Sequence, residues 1–286
     1  LLALAACAEK EVILQGERLS VRGDLAGAAT AEAEPAEAAS RSVPISLPGQ
    51  TSLSEWTHRG SNARHLMPHS ALSATPQLAW SVTIGEGSSR KNRISAAPVV
   101  SAGRVFTIDG GVTVAATSTA GAPLWSTSLA ANFDRGGGQS GSGLAIAGDR
   151  LFATTGFGEL VALDAATGGV IWRQELDTPV GGAPATDGNV VYVSGRDGSA
   201  WALSAKDGKV IWRVVGTPGK TGYVGAAAPT ITDRLVIFPS SGGELLAVLK
   251  VGNGTIVWRN SLAGKRLGKA YAFTPDITGV AVISGD

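Results

Sequence analysis

The chain has 286 residues, a formal net charge of +1, 16% charged residues, 39 glycines and a single cysteine. A nearly neutral chain without a clustered basic stripe offers no electrostatic case for binding nucleic acid. One cysteine excludes an intramolecular disulfide framework, and no run approaches the roughly eighteen apolar residues of a membrane span.

The first residues are Leu1-Leu-Ala-Leu-Ala-Ala-Cys7, an apolar run ending in small residues and the cysteine, with a polar segment directly after it. This pattern is similar to the end of a bacterial lipoprotein signal peptide, with Leu4-Ala5-Ala6-Cys7 as the lipobox and Cys7 as the lipid-attachment residue. Several acyl chains on one residue anchor stably where a single chain would be marginal. Ala8, rather than an aspartate, follows the cysteine, which in this resemblance implies sorting to the outer membrane, on its periplasmic face. From Ala8 to Gln50 the chain is rich in Ala and Glu, contains Pro35, Pro44 and Pro48, and lacks sustained apolar periodicity. Residues 8–50 therefore read as a disordered tether, with a short helix within Leu25–Ser40 as the one element their helix formers allow. Residues 51–286 read as one folded domain.

His58, His65 and His69 invite a metal reading, but Pro68 interrupts the closest pair and no Asp, Glu or Cys lies between His58 and Trp80. They read as loop histidines without a metal. Ala79-Trp80-Ser-Val-Thr-Ile84 has the pattern of a strand that lacks partners before it. The basic clusters Arg90–Arg93 and Lys265–Arg266 read as solvated loop.

From residue 97 the chain repeats with a period of about 45 residues. A turn glycine precedes a tryptophan by four residues at Gly121/Trp125, Gly168/Trp172, Gly208/Trp212 and Gly254/Trp258. Each copy opens near Ala97-Pro98, Gly143-Leu144, Ala183-Pro184 or Ala228-Pro229. In the second copy the runs Gly143–Ala147, Arg150–Thr155, Glu159–Leu163 and Val170–Leu176 are separated by Gly- and Asp-containing turns. Short β-branched and aromatic runs bounded by such residues predict antiparallel strands joined by hairpins. A helical repeat would need apolar spacing of 3.6 over ten or more residues. The prediction is an all-β chain, a β-propeller of four-stranded antiparallel blades. Each repeated tryptophan, and Trp201 with them, is expected to pack between neighbouring blades and to need an acceptor for its indole N–H. Gly136–Gly143 lacks the Lys-Ser/Thr of a phosphate loop and precedes a strand, and no Gly-x-Ser-x-Gly nucleophile elbow occurs. Val282–Asp286 matches Ala145–Asp149, so four blades and the start of a fifth are expected, with both ends of the chain reading as cut. A complete seven- or eight-bladed ring would need on the order of 315 to 360 residues at this period.

Asp164-Ala-Ala-Thr-Gly-Gly-Val-Ile-Trp172 resembles the repeat of pyrroloquinoline-quinone-type propellers. Together with the lipobox and the acidic tether, it resembles the lipoprotein B subunit family of the outer-membrane β-barrel assembly machinery, in its alphaproteobacterial form. That resemblance implies a non-catalytic, lipid-anchored scaffold that faces the periplasm and holds no cofactor. Its partners would be the periplasmic domains of the machinery's core barrel subunit, and unfolded outer-membrane proteins. It also implies that docking uses two consecutive inter-blade loops. The first contains Thr221–Ala226, where Tyr223 falls at the family's second leucine and Val224 replaces its arginine. The second is Gly264–Thr278, with Arg266, Lys269, Tyr271 and the acidic position Asp276. The same repeats also resemble quinoprotein dehydrogenases, in which they surround a quinone and a calcium ion. Against that alternative, the chain lacks an adjacent cysteine pair, and Asp164, Asp187, Asp197 and Asp207 sit where turns call for aspartate.

Overall fold

A computed structural model describes residues 44–90, 92–130, 142–219, 227–262 and 276–285. The chain divides between Leu47 and Pro48, and the account below concerns the unit from Pro48 onward. The described residues form sixteen strands in four antiparallel sheets, each built in chain order. Blade A contains β1 (Val99–Ser101), β2 (Arg104–Ile108), β3 (Thr113–Ser118) and β4 (Pro123–Ser128). Blade B contains β5 (Gly143–Ala147), β6 (Arg150–Thr154), β7 (Glu159–Asp164) and β8 (Val170–Glu175). Blade C contains β9 (Ala185–Thr186), β10 (Val190–Ser194), β11 (Ser199–Ser204) and β12 (Val210–Val215). Blade D contains β13 (Thr230–Ile231), β14 (Leu235–Pro239), β15 (Glu244–Leu249) and β16 (Ile256–Ser261). These are the predicted blades, and in blade B the strand ends fall within one residue of the expected runs.

The hairpins close where the turn residues require. Asp164 accepts the N–H groups of Ala166 and Thr167 at 3.0 and 2.8 Å, and Gly168 takes the left-handed φ of +74° that ends the turn. On the adjoining strands each tryptophan lies opposite an alanine: Ala116 faces Trp125, Ala162 faces Trp172, Ala202 faces Trp212 and Ala247 faces Trp258. In all four sheets the register shifts immediately after that alanine. A small side chain leaves room beside a large indole, and a bulge there strengthens the local twist.

The apolar cores lie between sheets. One joins Phe106, Val114 and Ala116 of blade A to Leu144, Leu151 and Val161 of blade B. A second joins Phe152 and Leu160 of blade B to Val191, Val193 and Trp201 of blade C, which places Trp201 at an inter-blade face. A third joins Tyr192 and Trp212 of blade C to Val236, Phe238 and Leu246 of blade D. The tryptophans latch these interfaces. Trp125 donates from Nε1 to Ala165 O of blade B at 3.1 Å, and Trp172 donates to Ala205 O of blade C at 3.2 Å. The turn glycine of each following blade lies flat against the preceding indole, so that a Cβ on Gly208 would come within 2.7 Å of Trp172. Arginines reach the other way: Arg173 bonds Leu129 O of blade A and pairs with Glu159, while Arg259 bonds Val215 O of blade C and pairs with Glu244.

Trp80 joins the same scheme from outside any strand. Its Nε1 donates to Thr119 O at 2.9 Å and its ring lies under Gly121. Residues 80–84 alternate half-buried and exposed positions, as β4 and β8 do, but carry no ladder.

Candidate functional site

Of the residues expected to meet a partner, Tyr223, Val224, Arg266, Lys269 and Tyr271 lie outside the described residues, as does Cys7. Asp276 is described and half-buried. Its neighbour Ile277 accepts the N–H of Ala227 at 3.4 Å. Ala227 follows the first expected docking loop and Asp276–Ile277 lie in the second, so the structure brings the exit of the first loop against the end of the second.

The histidines are where the structure departs from the sequence reading. His58 and His65 lie outside the named strands, as loop histidines do, but they are 4% and 3% exposed rather than solvated. The segment around them runs across β1, β5, β9 and β13, the strands through which the blades approach one another. Trp56 exchanges both main-chain bonds with Val100 in β1, at 2.7 and 2.8 Å. Ile146 N–H in β5 donates to Thr57 O at 2.9 Å, and Ile231 N–H in β13 donates to Ala63 O at 2.8 Å. Ile283, at the place the repeat makes equivalent to Ile146, donates to Arg64 O at 3.1 Å. In β9 the equivalent residue is Thr186, whose N–H meets the His58 Nε2 at 3.0 Å. Residues 56–64 are thus a strap that meets the same position of successive blades with successive residues, interrupted by the turn at Arg59–Asn62. Without it those N–H groups would face the hub unpaired.

Burial, then the neighbouring His65, lowers the His58 pKa to about 4, against a smaller opposing effect of the Thr186 contact. Burial also lowers His65, although its two ring nitrogens face Pro229 O and Arg59 O. Both rings are neutral near pH 7. Nothing in the sequence marks this role, because one bond per blade leaves no periodicity. His69 is different: it is part-exposed and its Nδ1 meets Pro48 O at 2.7 Å.

The turn aspartates are committed to their own loops. Asp187 accepts from Asn189 and Val190 at 3.1 and 3.0 Å and pairs with Lys250 at 2.8 Å. Burial pushes its carboxyl up, but the Lys250 contact and the two N–H bonds together hold it below the ordinary carboxylate range. Asp197 accepts from Ser199 and pairs with Arg213, whose guanidinium stacks 4.6 Å from the Trp201 ring. Among the described residues no three acidic, histidine or cysteine side chains converge to hold a metal. Two hollows flank the array. One of about 740 Å³ is lined by Leu235, Ile237, Leu249, Val257 and the Arg64–Asp233 ion pair; the other, about 420 Å³, is lined by Leu53, Trp56, Pro98 and Val100.

Four-stranded blades latched tryptophan to glycine define a β-propeller of the pyrroloquinoline-quinone repeat class. Residues 109–286 match the family model for outer membrane protein assembly factor BamB, and the chain belongs to that family. It is 28% identical over 211 residues to the BamB of Bordetella pertussis, covering 73% of this chain and 51% of that protein. It is also 28% identical over 163 residues to the quinoprotein alcohol dehydrogenase PedH of Pseudomonas putida, covering 52% of this chain and 27% of that enzyme. The quinohemoprotein alcohol dehydrogenase structure from Comamonas testosteroni superposes with a TM-score of 0.58 at 18% identity, over 79% of this chain and 43% of that one, a likeness of fold. The chain spans about half the length of the curated assembly factors it matches.

Proposed function

We propose that this chain is a non-catalytic scaffold lipoprotein, anchored through Cys7 to the periplasmic face of the outer membrane. It docks on the periplasmic domains of the core subunit of the outer-membrane β-barrel assembly machinery and assists the folding and insertion of outer-membrane proteins. The observation that carries this reading is the family match over residues 109–286. The docking face is made by Tyr223 and Val224 of one loop with Arg266, Lys269, Tyr271 and Asp276 of the next; the contact between Ala227 and Ile277 supports it by joining the two loops at their ends.

A quinoprotein dehydrogenase is the second reading, favoured by the PedH relative. The described residues do not fit its cofactors. Calcium needs several converging oxygens, whereas Asp164, Asp187 and Asp197 each turn Oδ1 to local N–H groups, and the Oδ2 atoms of Asp187 and Asp197 pair with Lys250 and Arg213. The inner-strand positions nearest the hub are already bonded to residues 56–64. The deciding experiment is affinity purification of the full-length protein from its own membranes, with partners identified by mass and a quinone absorbance scan of the same sample. Recovery of a large β-barrel protein with no chromophore supports the scaffold. A bound quinone with dye-linked alcohol oxidation overturns it.

A further inference from the structure

The strap meets β1, β5, β13 and Ile283 through main-chain carbonyls, which do not titrate near neutral pH. At β9 alone a side chain replaces the carbonyl. His58 Nε2 lies 3.0 Å from both Thr186 N and Thr186 O, and Nδ1 lies 2.8 Å from Thr57 Oγ1. With its Nε2 lone pair free, His58 accepts from Thr186 N–H, and Nδ1–H donates to the Thr57 hydroxyl. A proton on Nε2 turns that atom into a donor. It can then serve only Thr186 O, so Thr186 N–H is left buried without a partner.

Among the described residues no carboxylate acts on the two rings. The titratable and charged groups that act on His58 and His65 are the two histidines themselves and Arg59, all on the strap. β9 and the segment before β13 bring only the main chain of Thr186 and Pro229 to the rings. The blades, by contrast, are held together by the tryptophan and arginine contacts, which do not involve the histidines.

We propose that residues 56–65 form an acid-releasable strap: protonation of His58 detaches the segment from β9 and then from its neighbours. The blades stay latched and the inner-strand N–H groups of Val100, Ile146, Thr186 and Ile231 are opened at the hub. In the detached segment His58 recovers an ordinary affinity for protons. The opening equilibrium therefore rises about tenfold for each pH unit below about 6.5, on the order of a hundredfold by about pH 4.5.

The test is hydrogen exchange of the full chain, read by mass spectrometry near pH 7, about 5.5 and about 4.5, with intrinsic exchange rates corrected for pH. Peptides carrying Trp56, Val100, Ile146 and Thr186 are expected to lose protection together, by about a hundredfold, while Leu160–Leu163 in β7 keep theirs. In His58→Gln, whose amide oxygen accepts from Thr186 N–H but takes up no proton, strap protection is expected to fall much less steeply with pH, the remainder being carried by His65 on the same strap. Should that variant not fold, the ring shifts of His58 followed by NMR in the parent protein supply the second readout. Their midpoint must coincide with strap opening. Strap protection that is unchanged at low pH, that disappears only together with β7, or that stays equally acid-sensitive in His58→Gln overturns the proposal.

Discussion

Gly168 rests on the indole of Trp125 in the preceding blade, while the tryptophan four residues after it, Trp172, lies under Gly208 of the following blade. The repeated Gly-x-x-x-Trp spacing is therefore two halves of two different contacts. The glycine is forced twice, by its φ of +74° and by the ring above it. Gly148 has a φ of +59° and nothing within 4 Å of a built Cβ, so it is forced once. Gly148→Ala should cost about 1 kcal/mol. Gly168→Ala should cost about 1–3 kcal/mol more, because the indole must move. Urea melts of the two variants check this, and equal losses would show that the indole yields freely.

The three interfaces are not equally satisfied. Trp172 Nε1 reaches Ala205 O, but Trp212 Nε1 is buried without an acceptor. The turn of blade D differs from its siblings: Val251, at the place of Ala165 and Ala205, is 77% exposed. Trp172→Phe should lose about 1 kcal/mol, whereas Trp212→Phe should be within about 0.5 kcal/mol of neutral, since it removes an orphaned donor. Thermal melts of the pair would refute this if Trp212→Phe proved the worse.

Stability should fall on acidification. His58 has a folded pKa of about 4 against about 6.5 when unfolded, so its neutral form stabilises the fold at and above pH 6.5. That contribution is lost as pH falls through the window from 6.5 to 4, up to about 3 kcal/mol. His65 is shifted in the same direction and adds to the loss. Urea midpoints taken across that window should decline, and less steeply in His58→Gln.

If the proposed docking face is right, Arg266→Glu combined with Tyr223→Ala should reduce capture of the core barrel subunit at least severalfold, with an unchanged melting temperature, because the sequence repeat puts both residues between blades. Co-purification at parental yield would remove these loops from the docking face.

Cys7→Ser should release the protein from the outer-membrane fraction into the soluble periplasm. Fractionation followed by blotting decides, and a variant that stays with the membrane places the anchor elsewhere.

Strands were legible because a hairpin writes itself locally: Asp164 and Gly168 fix a turn from within five residues, and β7 and β8 follow from the runs beside it. Trp125 and Trp172 were legible as inter-blade residues, yet their partners were not, since Ala165 and Ala205 offer only a main-chain carbonyl; Trp258, 38% exposed, shows no such contact among the described residues. The alanines opposite the indoles carry a signal that repeats in all four blades and could have been read from the third strand of each. His58 and His65 were illegible for a different reason. Their partners, Thr186 and Pro229, are 128 and 164 residues away and are again met through the backbone. Of the proposed docking residues, the sequence marks the loops, and the structure describes only Asp276, whose neighbour Ile277 meets Ala227.

The tryptophan-on-glycine contact recurs at each of the three interfaces, and by itself does not distinguish one blade from the next. The strap does distinguish them. Trp56, Thr57 and His58 are allotted to blades A, B and C in order, and Ala63 to blade D, with a turn of fixed length between the third and fourth assignments. A duplicated blade would keep its interfaces and lose its place in this sequence of contacts. Residues 56–64 thus act as a tally of the blades they cross, and they tie the copy number of the repeat to a stretch of chain that is not itself repeated.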